Sequence, residues 1–164
     1  MTVPEHAAPH APAQLCAAFE AIGRERMAGL GLAHPALAVE AVGFARAAGP
    51  AEGESGWFGV LLTPWCMNLV WWPDRADAVA APGATRTHVY AGERYRFIGA
   101  HEAALGAFET CSLFSPMDEF RTQAEARALA LAVLAQLRRA SEAPAQPSRR
   151  ALLTGLRAIG PGPT

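Results

Sequence analysis

The stretch GWFGVLLTPWCMNLVWWP, residues 56–73, decides how this chain folds. It holds all four tryptophans, Trp57, Trp65, Trp71 and Trp72, together with Phe58, Val60, Leu61, Leu62, Met67, Leu69 and Val70. Only Thr63, Asn68 and the thiol of Cys66 interrupt the apolar surface. Over residues 56–63 both alternating sets of side chains are apolar, which predicts a strand buried on both faces. Pro64 has no N–H for a central ladder, so a bend, bulge or strand end is expected there. A second strand, residues 65–72, should run to Pro73-Asp74. Adjacent Trp71 and Trp72 must point to opposite faces of such a strand. One of them is therefore expected to be partly exposed, as tryptophans at protein-binding hot spots are. Asn68 needs either buried partners or a groove to face.

Working outward, residues 36–47 alternate as a strand. Leu37, Val39, Ala41 and Gly43 are expected on one side, and Ala38, Glu40, Val42 and Phe44 on the other. Upstream of it a helix from Ala13 carries Leu15, Phe19, Ile22 and Arg26 on one face, continued by Met27 and Leu30, with a stop at Gly29 or Gly31. Downstream, residues 86–90 and 94–98 read as a hairpin around Ala91-Gly92-Glu93. Residues 107–114 alternate again. Ser115 then reads as an N-cap with Pro116 at the first helical position, opening a helix to about Arg139. Met117, Phe120, Ala124, Ala128, Leu131 and Leu134 recur at its spacing. This order predicts an α+β fold: an antiparallel or mixed sheet with an N-terminal helix and a long C-terminal helix packed on it. Residues 13–140 are expected to form a single domain, between a disordered tail (1–12) and a Pro/Ala linker with a basic-apolar tail (141–164).

The bulk numbers agree with one such domain. The chain has 164 residues, 51% of them hydrophobic and 18% charged, which is globular composition. A formal net charge of -1 argues against a nucleic-acid partner. The N-terminal residues lack the pattern of a signal peptide. The apolar run is shorter than the ~20 residues of a helical span, so no membrane insertion is expected. Cys16, Cys66 and Cys111 lie far apart without a CxxC, which suggests reduced thiols and a cytoplasmic home. No GxSxG, P-loop, GxGxxG or HExxH occurs, and His34, His88 and His101 read as surface or turn residues. A catalytic role is not expected, nor a metal site or cofactor. A thiol redox or cofactor-carrying protein using Cys66 and Cys111 is the alternative, with Met67 and Met117 as further soft sulfur groups.

Two segments carry a resemblance. GVLLTPWCMNLVWWP is similar to the GVLiTPWfMNLmLLP segment of the HybE-type [NiFe]-hydrogenase assembly chaperones, and CSLFSPMDEF (residues 111–120) resembles their CSLFSPMxEF. The likeness runs from Leu15 to about Leu137. Cys66 stands where those proteins have an aromatic residue, so no family role attaches to its thiol. The resemblance implies a non-catalytic cytoplasmic assembly chaperone for a membrane-bound uptake [NiFe]-hydrogenase. Its expected partners are the large and/or small subunit precursor, the twin-arginine signal peptide before export, and other maturation proteins. The expected partner-binding residues are Trp65, Met67, Asn68, Trp71, Trp72, Phe114, Met117 and Phe120, with the two signatures meeting in one groove. A further motif, Ser148-Arg149-Arg150-Ala151-Leu152-Leu153, resembles the core of a twin-arginine signal but lies at the wrong end of the chain. It is read either as a solvated basic tail or as a mimic that fills the groove meant for a client's signal peptide.

Overall fold

The tryptophan-rich stretch forms two strands, β2 (Ser55–Leu62) and β3 (Met67–Pro73), joined by a turn at Pro64. They belong to a six-stranded antiparallel sheet in the computed structural model, which describes residues 11–140. With β1 (Glu40–Ala48), β4 (Thr85–Tyr90), β5 (Glu93–Glu102) and β6 (Gly106–Phe114), the spatial order is β1-β2-β3-β6-β5-β4. Two helices complete the fold, α1 (Pro12–Ile22) and α2 (Gln123–Ala140). The α+β expectation holds. The terminal tails lie outside the described residues, although residue 12 already belongs to α1.

β2 and β3 can be apolar on both sides because a helix packs on each face of the sheet. Phe58, Val60, Leu62, Met67, Leu69 and Trp71 enter one core with Ala126, Ala130, Val133, Leu134 and Leu137 of α2. Leu61, Val70 and Trp72 enter the other with Leu15 of α1 and Phe108 of β6, and Phe19 and Trp57 pack against it. The pair Trp71-Trp72 does diverge, but into two cores: their relative exposures are 0% and 1%. The expectation that one of them reaches solvent is overturned. A strand with both faces covered has no wet side to offer.

Three other expectations change in detail. β1 begins at Glu40, and Gly43 interrupts it with φ +60°, a conformation that favours glycine. The register shifts between Val42 and Ala45. This bulge sends Val42 to the α2 core and Phe44 to the α1 core, where strict alternation puts them together. The second correction concerns α2, which starts at Gln123 and not at Ser115. Residues 115–122 instead make turns, with the Phe120 N–H bonded to the Met117 carbonyl. Thr122 and Glu125 supply the competing start signal: the Thr122 hydroxyl accepts the Glu125 N–H at 3.1 Å and the Glu125 carboxylate accepts the Arg121 N–H at 2.8 Å. The buried stripe is consequently Ala126, Ala130, Val133, Leu134 and Leu137, while Ala124, Ala128 and Leu131 face water. Thirdly, α1 widens into one looser turn, Gly23–Met27, and stops, so Leu30 lies beyond the packed face and is exposed.

Candidate functional site

The two signature segments are brought together by the pairing of β3 with β6. Met67 lies opposite Phe114 and Asn68 opposite Ser112, with a register shift between. At the mouth of this pair the β2–β3 turn is built around Thr63, which is buried. Its hydroxyl accepts the Cys66 N–H at 2.9 Å and the Trp65 N–H at 3.3 Å, and donates to the Cys66 carbonyl at 3.0 Å. Pro64 suits the turn because no donor is required of it, and its carbonyl accepts the His34 N–H at 2.7 Å. The turn holds Trp65 against α1: a Cβ on Gly23 would sit 3.2 Å from the Trp65 ring.

The expected partner-binding residues therefore divide. Trp65, Asn68 and Phe114 are partly accessible, and Ser112 beside Asn68 is exposed. Met67, Trp71, Trp72, Met117 and Phe120 are buried. Met117 and Phe120 close the α2 core beneath the turn, and Phe114 meets Phe120 edge to face with centroids 5.3 Å apart. Trp72 donates its indole N–H to the Leu105 carbonyl at 3.0 Å. Trp71 has no acceptor for its own among the described residues.

The thiol of Cys66 sits 3.3 Å from the Thr63 hydroxyl and 3.5 Å from the Asn68 amide nitrogen. Burial pushes its pKa up, with the two hydrogen bonds pulling the other way. Burial likewise raises that of Cys16. Cys111 is buried beside Leu69. For Cys16 and Cys66 these surroundings favour the neutral thiol and not the nucleophilic or metal-binding thiolate.

A buried polar chain lies elsewhere on the α2 face, and the sequence reading missed it. Glu109 of β6 is fully buried and accepts from Arg86 Nη2 at 2.6 Å and Nε at 3.1 Å. His88 Nε2 approaches the same carboxylate at 3.2 Å, and its Nδ1 lies 3.2 Å from the Tyr90 hydroxyl. Arg86 continues to Glu54 at 2.9 Å and to the Ala78 carbonyl at 2.9 Å. Burial alone would raise the pKa of Glu109; the bonds from His88 and Arg86 outweigh it and hold the carboxyl below its ordinary value. Burial drives the Tyr90 phenol upward. His88 stacks on Phe97 with centroids 3.9 Å apart, which overturns its reading as a surface or turn residue. The signal was present: Glu109 shares its alternating set with Cys111 and Leu113, and Arg86, His88 and Tyr90 share theirs. This polar chain ties β4 to β6 and, through Glu54 and the Ala78 carbonyl, to the segments that precede β2 and follow β3.

An open cleft of about 300 Å³ lies where the β1–β2 turn meets the segment after β3, between Glu52, Glu54, Asp74 and Asp77. Asp74 is held by Arg46 and by the Ser55 hydroxyl, Asp77 by Arg75, and Glu54 by Arg86. Among the described residues, no three His, Cys, Asp or Glu side chains are gathered as a metal site. No described helix is long and apolar enough to cross a membrane.

The class defined by these features is an α+β protein with one antiparallel sheet between two helices and two sequence signatures joined at its centre. The family profile described as "[NiFe]-hydrogenase assembly, chaperone, HybE" matches residues 10–155. The chain belongs to this family of [NiFe]-hydrogenase assembly chaperones. It is 42% identical over 155 residues to Protein HoxT of Cupriavidus necator, covering 87% of both chains. It is 41% identical over 153 residues to the hydrogenase expression/formation protein HupT of Azotobacter chroococcum, covering 92% of this chain and 97% of that one. The solution structure of HybE from Escherichia coli has the same fold, with a TM-score of 0.56 at 24% identity over 89% of this chain and 88% of that one.

Proposed function

We propose that this chain binds the large or small subunit precursor of a membrane-bound uptake [NiFe]-hydrogenase in the cytoplasm and keeps it assembly-competent before export. Its ligand is then a partly folded chain, a twin-arginine signal peptide, or both. The observation that carries this reading is the joining of the two signatures. The Thr63 turn presents Trp65 at the surface, and the β3–β6 pair places Asn68 beside Ser112 on one sheet face. Met67, Trp71, Trp72, Met117 and Phe120 contribute from below, as the packed support that fixes where Trp65, Asn68 and Phe114 stand. An accessible indole with an accessible carboxamide three residues on fits a peptide, offering apolar area together with a hydrogen-bonding group.

The test uses the full chain and each hydrogenase subunit precursor made separately in a cell-free system. The expected result is a stable complex with at least one precursor, weakened tenfold or more by Trp65→Ala with Asn68→Ala while the melting temperature of the chaperone is retained. Capture of neither precursor would overturn the reading.

A further inference from the structure

α1 covers only part of its face of the sheet. It packs over Leu61, Val70, Trp72 and Phe108 of the inner strands and reaches β5 only at its end, where Ala100 joins the same core and Glu102 meets Arg26, leaving β4 and residues 94–98 of β5 bare. Val89 is 59% exposed and Ile98 49%, although both lie in regular strands whose alternate residues, His88 and Phe97, are buried on the α2 side. Between them on the bare side stand Arg94 and Arg96, with Val89 opposite Arg94 and Thr87 opposite Arg96. No hydrogen bond or ion pair engages these two guanidinium groups among the described residues. By contrast Arg26, Arg46, Arg75, Arg86 and Arg127 each hold a carboxylate. The β4 and β5 side chains Thr87, Val89, Arg94, Arg96 and Ile98 share the bare half-face, and no carboxylate is among them.

The inner border of this half-face is Asn68 and Ser112, one from each signature. Alternation settles the side they occupy: Asn68 shares its set with Val70 and Trp72, and Ser112 shares its set with Phe108, all of the α1-side core. The accessible polar members of both signatures thus continue directly into an apolar, cationic surface.

We propose that the β4–β5 half of the α1 face docks a segment of the client precursor that carries carboxylates beside apolar side chains. This rests on the precursor-binding reading. Two unpartnered arginines flanked by Val89 and Ile98 are complementary to that chemistry: apolar contact supplies area, and each guanidinium takes a carboxylate bidentately. Two cations on a chain of net charge -1 do not make the broad positive field that a nucleic acid or an anionic membrane needs.

The experiment compares full-length wild type, R94E/R96E, I98T and R75E for affinity to the isolated subunit precursors at two salt concentrations, with melting temperatures and sedimentation recorded. Arg75 lies in the cleft that Asp74 and Asp77 line, so R75E controls for charge change as such. R94E/R96E should bind at least tenfold more weakly and lose most of the salt dependence, I98T should bind several-fold more weakly, and R75E should match wild type. Binding by R94E/R96E and I98T within twofold of wild type would overturn the proposal and leave the precursor-binding reading standing. Wild type that binds neither precursor would overturn both. A wild-type dimer that becomes a monomer in R94E/R96E, without loss of precursor binding, would assign the face to self-association instead.

Discussion

Among single residues, Glu109 carries the sharpest consequence. Its carboxylate is fully buried and satisfied by Arg86, His88 and the Ala80 N–H at 3.4 Å. Removing one member of such a set strands the others without water or partner, and costs about 3 kcal/mol. Glu109→Gln should therefore lower stability at neutral pH by roughly that amount in a denaturant titration. The pH dependence follows from the sign of the shift. The folded-state pKa lies below the ordinary value of 4.5, so the stabilisation is complete above that value. It is lost as pH falls through the folded pKa. Wild type should thus lose stability steeply on the acid side of pH 4.5, and Glu109→Gln should show a visibly flatter profile over the same range. Equal slopes in the two proteins would mean that folding does not lower the pKa of this carboxyl.

At the scale of elements, the β2–β3 turn depends on one hydroxyl. Thr63→Val keeps the shape of the side chain but removes the acceptor for the Trp65 and Cys66 amides. A cost of about 1–3 kcal/mol is expected, read from the unfolding midpoint, and precursor binding should weaken because Trp65 is no longer held. This turn was legible in the sequence, since Pro64 inside an apolar run announces a break in the ladder. So were the strands β2, β3 and β6, whose alternation holds except at the end of β6, where the shift in register brings Phe114 to the α2 side with Leu113. The hairpin of β4 and β5 was also legible, and its turn narrows to Ala91 and Gly92, both at positive φ as a two-residue connection requires. What was illegible is long-range. The period of α2 was anchored on Met117 and Phe120, which are apolar for the sake of the core but precede the helix, and this moved the predicted stripe onto Ala124, Ala128 and Leu131. The bulge at Gly43 turns the following residues over, and only the demand of Leu134 for the space there reveals why: a Cβ on Gly43 would come 2.6 Å from it. The fate of Trp71 and Trp72 depended on helices at the two ends of the described chain, which no local pattern contains.

For the whole molecule, the C-terminal motif Ser148, Arg149, Arg150, Leu152 and Leu153 remains to be placed, since it lies outside the described residues. As a mimic of a twin-arginine signal it would compete with a client's signal peptide. Deleting residues 148–164 should then raise the affinity of the chain for such a peptide, measured by fluorescence anisotropy; an unchanged affinity would make the motif a solvated basic tail. The sheet itself has a consequence in time. β3 lies between β2, its neighbour in sequence, and β6, whose last residue is made more than forty positions after Met67. α2, the cover for one face, is made last of the described elements. As the chain leaves the ribosome, Trp72 must wait for β6, and Trp71 for α2 as well. Until about residue 140 has emerged, a member of a family that attends the assembly of other proteins is itself a half-built sheet with its most adhesive side chains in water.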